Sequence, residues 1–459
     1  MGETGAKGPP SLVRGLGAWD GTLITIGSVL GSAIFIAAAD VVRAVPHAGL
    51  VLLLWALGGL LTIAGALTYA ELGGMFPRAG GQYHFLKEAY GPFWGFLFGW
   101  AAFLIIMCGG LAALAAGFGE YLGSFLPFFS TENVLATVPL GRWRWTANGG
   151  QLAGGLALAF LTAINYFGVK QGAVFQNVIT LLKVGSILVL AAAGLMVPPR
   201  ARADLFAPLP EGDLLAALGV GMIAVFWSYD GWYGVTNVAG EMRDPGRNLP
   251  RSMLAGVVVV IVLYLVTNLV YFRALPVAAM QETPRIGESA AAALFGPVGA
   301  RLVSAAVVVS TFGCLSATIL WAARIYLPMA EDRVFFRSLA HIHPRYRTPS
   351  HSIVAQGVWS IALTFSGTYN QLITYVIVAV FLFHAATGAA VMVLRRTRPD
   401  APRPYRVWGY PALPIVVVVS ALAFVANAFV EKPVESGIGL GLLALGIPAY
   451  LWWRSREAA

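Results

Sequence analysis

Twelve runs of about twenty mostly apolar residues follow one another along this chain, at 16–43, 47–75, 92–126, 150–168, 173–197, 214–240, 252–275, 297–329, 352–368, 370–394, 411–430 and 436–453. Coiled as an α-helix, a run of that length matches the roughly 30 Å hydrocarbon layer of a bilayer. Lipid offers the backbone no hydrogen-bond partners, so each run has to satisfy its own N–H and C=O groups. The reading is an all-α polytopic membrane protein with about twelve transmembrane helices. Composition agrees, since 58% of the 459 residues are hydrophobic and only 11% are charged.

The formal charge of +9 lies in short segments between the runs. No solvated basic domain is present to hold a phosphate backbone, so nucleic acid is not an expected partner. The charge reads as a topology signal. With the N-terminus placed in the cytoplasm, inner segments carry 20 Lys and Arg residues and outer segments carry 9. That excess puts both termini inside, with 1–15 and 454–459 as short cytoplasmic ends of a plasma-membrane or bacterial inner-membrane protein. Residues 1–10 have no apolar signal core or cleavage site, so the first span is expected to stay in the mature protein. Cys108 and Cys314 fall inside separate apolar runs and suggest neither a disulfide nor a metal site. A phosphate-cradling Gly-Lys-Ser/Thr loop is missing, which argues against ATP-driven transport within this chain, and no cofactor is expected. No nucleophile–base pair stands at depth, which argues against an enzyme.

Two runs place small and polar residues at mid-depth. "ITIGSVLGSAIF" at 24–35 has two glycines and two serines, and "FWSYDGWYGV" at 226–235 has Ser228, Asp230, Gly231 and Gly234. The first alone also fits a stripe for close helix packing, because Gly27 and Gly31 are four apart. A second stretch, containing an acid, favours real interruptions of both helices. Four runs separate the two, so each heads a set of five, 16–197 and 214–394, and the second set enters the membrane inverted; 411–453 adds two helices. Paired interruptions in inverted halves point to a transporter with its site at the repeat interface. A helix that stops exposes carbonyls, and the one that starts after it exposes N–H groups. A zwitterion needs both. The amides around Ser32 and Ala33 suit a carboxylate, the carbonyls near Val29, Trp227 and Asp230 suit an ammonium, and Gly31 permits close approach.

"GSVLGSAIF" at 27–35, "PRAGGQYHFLKEAYG" at 77–91, "FWSYDGW" at 226–232, "EMRDPGRNLPRS" at 241–252, "LYLVTNLVYF" at 263–272 and "STFGCLSATILWAARIYLPMAED" at 310–332 together resemble the amino acid–polyamine–organocation (APC) transporter superfamily, closest to its L-type amino acid transporter branch. The resemblance runs from about residue 14 to 430. It implies a five-plus-five inverted-repeat fold and alternating-access transport of amino acids. It also implies a carboxylate site at the backbone of Ser32 and Ala33, an amine site at the carbonyls of Val29, Trp227 and Asp230, and an aromatic lid at Trp227. The family usually has Gly where this chain has Ala33. The longest outer connection, 130–148, has no cysteine where heteromeric relatives carry one, so no disulfide-linked ancillary subunit is expected.

Two charges at depth need separate accounting, because an ionised side chain in the bilayer interior is costly. Lys183 has three readings: it snorkels to an interface, it pairs with Asp230, or, as the resemblance implies, it is a fixed cation where sodium-coupled relatives hold Na⁺. The third implies transport without sodium; a lysine that releases its proton would instead couple transport to protons. Asp230 has two compatible roles open to it: facing the cavity and capping the half-helix that follows it. Tyr264, Asn268 and Tyr271 share one helix face, with Asn268 the candidate for cavity contact. Glu71 and His384 read as structural or gating residues. The leading reading is a sodium-independent amino acid exchanger or facilitator; the alternative is a proton-coupled importer of amino acids or polyamines.

Overall fold

The computed structural model describes residues 12, 14–140, 143–167, 169–283, 285–366 and 369–457, with the backbone alone at 140, 143, 169–176, 369–375 and 456–457. Most of the expected 1–15 segment, the side chain of Lys170, Arg142 and residues 458–459 therefore lie outside the described residues.

Helices occupy all twelve apolar stretches. The first stretch is a pair, α1 (Ala18–Val29) and α2 (Ala33–Ala44). Then come α3 (Ala48–Met75), a short α4 (Gln82–Tyr90), α5 (Pro92–Ala101) joined through a π-turn at Ala102–Ile106 to α6 (Met107–Leu122), α7 (Gly149–Tyr166) and α8 (Val169–Met196). α9 (Leu214–Tyr229) is followed by the single turn α10 (Gly234–Asn237), α11 (Pro245–Ala274), α12 (Val277–Glu282) and α13 (Ile286–Glu331). The chain ends with α14 (Ser350–Thr364), α15 (Tyr369–Thr397), α16 (Ala412–Glu431), α17 (Pro433–Ala444) and α18 (Gly446–Glu457). Among the described residues eight helical segments are long and apolar enough to cross a membrane, and the bent pair α1–α2 makes a ninth. This is an integral membrane protein.

Boundaries shift where composition alone misleads. α11 starts at Pro245 and not at 252, because proline suits the first turn of a helix and the polar stretch after it simply continues the coil. α13 starts at Ile286 and turns sharply at Gly296, whose φ of +73° only glycine adopts readily. Among the described residues one departure from an all-α chain appears, in the connection between α6 and α7: Val134–Leu140 (β1) pairs antiparallel with Trp143–Asn148 (β2). Val134, Thr137, Val138, Trp145 and Thr146 are residues that fit a pleated surface, and Trp145 Nε1 anchors the hairpin on Phe365 O (2.7 Å).

α11 packs along both α3 and α1, α2 along α9, and α13 against α6, α8 and α1. The interrupted segments are thus walled in by continuous helices. Leu30 and Ile34 have no exposed surface.

Candidate functional site

α1 and α2 are bent by 47° across Leu30, Gly31 and Ser32. The Leu30 N–H closes the last turn on Ile26 O (2.8 Å), and side chains meet the carbonyls left over. Lys183 Nζ donates to Gly27 O (2.6 Å) and Leu30 O (2.7 Å). Cys314 Sγ donates to Ser28 O (3.0 Å), and Ser310 Oγ reaches Leu30 O (3.3 Å) and Gly31 O (3.4 Å). The donors are treated differently. Among the described residues no protein acceptor pairs with the N–H groups of Gly31, Ser32, Ala33 or Ile34. The break therefore has its negative end neutralised and its positive end open, which favours an anion.

The second break is a tight turn, Asp230–Tyr233, between α9 and α10. Asp230 N–H bonds Trp227 O (3.2 Å) and Gly234 N–H bonds Gly231 O (3.0 Å). Among the described residues no donor reaches Tyr229 O or Asp230 O. Gly231 sits at φ +98°, and a Cβ there would stand 2.8 Å from Ser28 O, so the two breaks touch backbone to backbone. Tyr264 clamps them: its hydroxyl lies 2.8 Å from Ser228 O and 3.2 Å from Val29 O. One hydroxyl proton serves both, and each carbonyl has two lone pairs. Val29 O, at the longer distance, keeps acceptor capacity.

A cavity of about 50 Å³ lies between the breaks, lined by Val29, Gly31, Ala33, Trp227, Asp230 and Gly231. Ile106, Met107 and Gly110, at and just after the π-turn, form one further wall, and Cys314, Thr318 and Trp321 of α13 another. π-Turns recur at functional sites because they re-aim the side chains that follow. Trp321 Nε1 donates to Ser28 Oγ (2.9 Å), which itself donates to Ile24 O (2.8 Å), fixing that wall.

The structure thus brings Val29, Gly31, Ala33, Trp227 and Asp230 together on one cavity. Ser32, between Gly31 and Ala33, is fully buried and is not on the lining. Asn268 is not brought to the cavity; its Nδ2 donates to Tyr264 O (2.8 Å) within α11. Lys183, completely buried, sits behind α1 on the carbonyls and does not pair with Asp230. Asp230 faces His384 instead (Oδ1 to Nε2, 3.8 Å) and accepts from Tyr233 OH (3.5 Å). Nor does Asp230 cap the next half-helix: Tyr233 is the residue preceding α10, without a side-chain cap. Trp227 O, expected for an ammonium, already accepts from Asp230 N–H. Sequence reasoning placed Tyr264 on a polar face without seeing that it spans both breaks. It read Cys314 only as an unpaired thiol, and nothing in the sequence marked Cys314 as a partner of Ser28 O.

Hydrogen bonds tie both interrupted segments to their neighbours away from the cavity. In the first turn of α2, Phe35 O accepts from Tyr121 OH (2.9 Å) and Ile34 O from Tyr271 OH (3.4 Å). Below α1, Gly15 and Leu16 N–H donate to Glu241 O (2.9 and 3.0 Å), and Arg243 N–H donates to Leu16 O (2.8 Å). Glu241 forms a fully buried pair with Arg324 (2.6 Å) beside this seam. Such a pair is weak evidence for stability but breaks expensively if one partner is lost.

The model of the family described as amino acid permease matches residues 16–444. The serine/threonine exchanger SteT of Bacillus subtilis is 30% identical over 442 residues, covering 95% of this chain and 96% of that protein. The human b(0,+)-type amino acid transporter 1 is 29% identical, covering 92% of this chain and 84% of the other. The human large neutral amino acids transporter small subunit 2 is 27% identical, covering 98% and 82%. The likeness spans the two interrupted helices and every helix that walls them, and on that extent the chain belongs to the amino acid permease family of the APC superfamily.

Proposed function

We propose that this chain is a sodium-independent amino acid exchanger or facilitator, which grips the α-carboxylate and α-ammonium of its substrate between the two breaks. The observation that carries the reading is the asymmetry at 27–34: among the described residues every carbonyl from Gly27 to Gly31 has a donor, while the N–H groups of Gly31, Ser32, Ala33 and Ile34, of which Gly31 and Ala33 line the cavity, have no protein acceptor. The substrate carboxylate takes those N–H groups. Its ammonium takes the carbonyls of Asp230 and Tyr229 and the spare lone pair of Val29. Trp227 covers the bound molecule. Lys183 supplies the positive charge behind α1, so that no sodium is required there. The two five-helix halves, 16–197 and 214–394, are inverted repeats that move relative to each other, and both termini face the cytoplasm. No ancillary subunit is needed.

All three relatives are amino acid transporters by name and one, SteT, is an exchanger, which supports amino acid transport and leaves the side-chain range open. Purified protein in liposomes preloaded with unlabelled amino acids should accumulate labelled ones by counterflow without sodium. Absence of counterflow for every amino acid defeats the reading. Strict sodium dependence defeats the role of Lys183, and uptake driven by a pH gradient alone would favour the proton-coupled alternative, for which the Asp230–His384 approach is the structural argument.

A further inference from the structure

Away from the breaks, a groove of about 810 Å³ opens between the start of α11, the lower half of α3 and the segment joining α15 to α16. Asp244, Arg247, Arg251 and Trp408 line its polar end, termed its mouth, and Leu67 and Leu254 are among its apolar lining, termed its floor. Arg247 and Arg251 are one helical turn apart on α11 and exposed. Among the described residues neither guanidinium has an ion-pair partner. Asp244 offsets one of the two charges, leaving the mouth positive.

The depth profile is that of an amphipathic ligand. Leu254 lies nine residues into α11 from Pro245, about 13 Å at the helical rise, and Leu67 lies eight residues from the end of α3 at Met75, about 12 Å. Half the hydrocarbon layer is about 15 Å. By the same rise Arg247 lies about 3 Å and Arg251 about 9 Å from Pro245, so charge gives way to apolar surface within the first three turns of α11.

The roof is held rigidly. Glu71, with no exposed surface, accepts from Arg395 (2.9 and 2.7 Å) and from Val407 N–H (2.7 Å), with Arg403 at 3.5 Å. The Arg395 guanidinium lies 3.9 Å from the centre of the Tyr410 ring. Gly246 closes on the same segment, since a Cβ there would stand 2.6 Å from Pro404 Cβ. Free phosphate would use the arginines and leave the floor empty; a neutral apolar molecule would use the floor and leave the arginines unpaired.

We propose that this groove binds one anionic phospholipid. Its phosphate is held by Arg247 and Arg251, its first acyl chain runs along Leu254 and Leu67, and Trp408 packs at headgroup level. Assigning it to the cytoplasmic leaflet rests on the topology proposed above; the binding itself does not.

Native mass spectrometry of the full chain, titrated with phosphatidylglycerol or phosphatidylcholine, tests this. Wild type should retain phosphatidylglycerol preferentially. Arg247→Gln with Arg251→Gln should weaken it roughly thirtyfold, from about 1 kcal/mol for each basic residue, and weaken phosphatidylcholine, whose choline already offsets the same phosphate, far less. Leu254→Trp fills the floor without altering charge and should weaken phosphatidylglycerol as well. Arg337→Gln, at an exposed arginine outside the groove, should change nothing. If the double variant does not fold, Arg251→Gln and Leu254→Trp singly carry the test. Undiminished retention in these variants overturns the proposal. So does an equal loss in Arg337→Gln, which would mean diffuse attraction, or displacement of the lipid by inorganic phosphate, which would mean a headgroup site alone. Counterflow in phosphatidylcholine liposomes reads transport separately, so the lipid site and the proposed transport function fail independently.

Discussion

Replacing Lys183 with Met keeps the volume of the side chain and removes its charge and donors. Gly27 O has no other donor among the described residues and becomes an orphaned buried acceptor, at a cost of about 1–3 kcal/mol. Leu30 O loses a 2.7 Å bond and keeps Ser310 at 3.3 Å. Against this, burying Met spares the several kcal/mol needed to desolvate an ammonium. Overall stability is therefore a poor readout, because the two contributions are similar and opposed. The geometry of the break is a good one. If the open arrangement at 27–32 is disfavoured by the cost of one orphaned carbonyl, the binding-competent population falls roughly 5- to 150-fold. Initial exchange rates in sodium-free proteoliposomes, normalised to folded protein by size-exclusion and thermal melting, measure that population. Exchange by Lys183→Met within twofold of wild type would refute the reasoning.

Three further outcomes follow from single contacts. Gly231→Ala combines a backbone at φ +98° with a Cβ 2.8 Å from Ser28 O and should abolish exchange and amino acid binding; retained binding by isothermal calorimetry would show that the breaks do not need this approach. Tyr264→Phe removes the clamp on Ser228 O and Val29 O and should lower thermal stability by about 1–3 kcal/mol; an unchanged melting temperature would count against the clamp. Burial in α4 pushes the His84 imidazole down to about 4, with Asp332 pulling the other way. The native state then binds a proton less readily than the unfolded chain, where the value is about 6.5, so stability present above that value is lost as pH falls toward 4. His84→Gln should flatten the melting-temperature profile over that window, and an unaltered slope would remove His84 as the cause.

The fold was largely legible because hydrocarbon imposes one rule on every span, and the two helix breaks were legible because Gly, Ser and Asp are conspicuous against Leu and Val. Lys183 was visible for the same reason. Pairing was harder to see. Whether Lys183 meets Asp230 or the carbonyls of α1 depends on which faces of α8 and α9 turn toward α1, and no period in either sequence fixes that. Asn268 shares a helix face with Tyr264, yet about 6 Å along the α11 axis decides which of them reaches the breaks. The hairpin at 134–148 was missed because its alternation is short and follows a long apolar run. The phospholipid groove depends on Glu71 gathering a segment more than 300 residues away, a contact with no local signature.

The central claim is that free main-chain groups hold both charged ends of an amino acid. Competition in sodium-free counterflow tests it with three forms of whichever amino acid exchanges best: the free form, its N-acetyl derivative and its methyl ester. The account expects the free form to compete fully and both derivatives to fail, because one lacks the ammonium and the other the carboxylate. Equal competition by either derivative would contradict it.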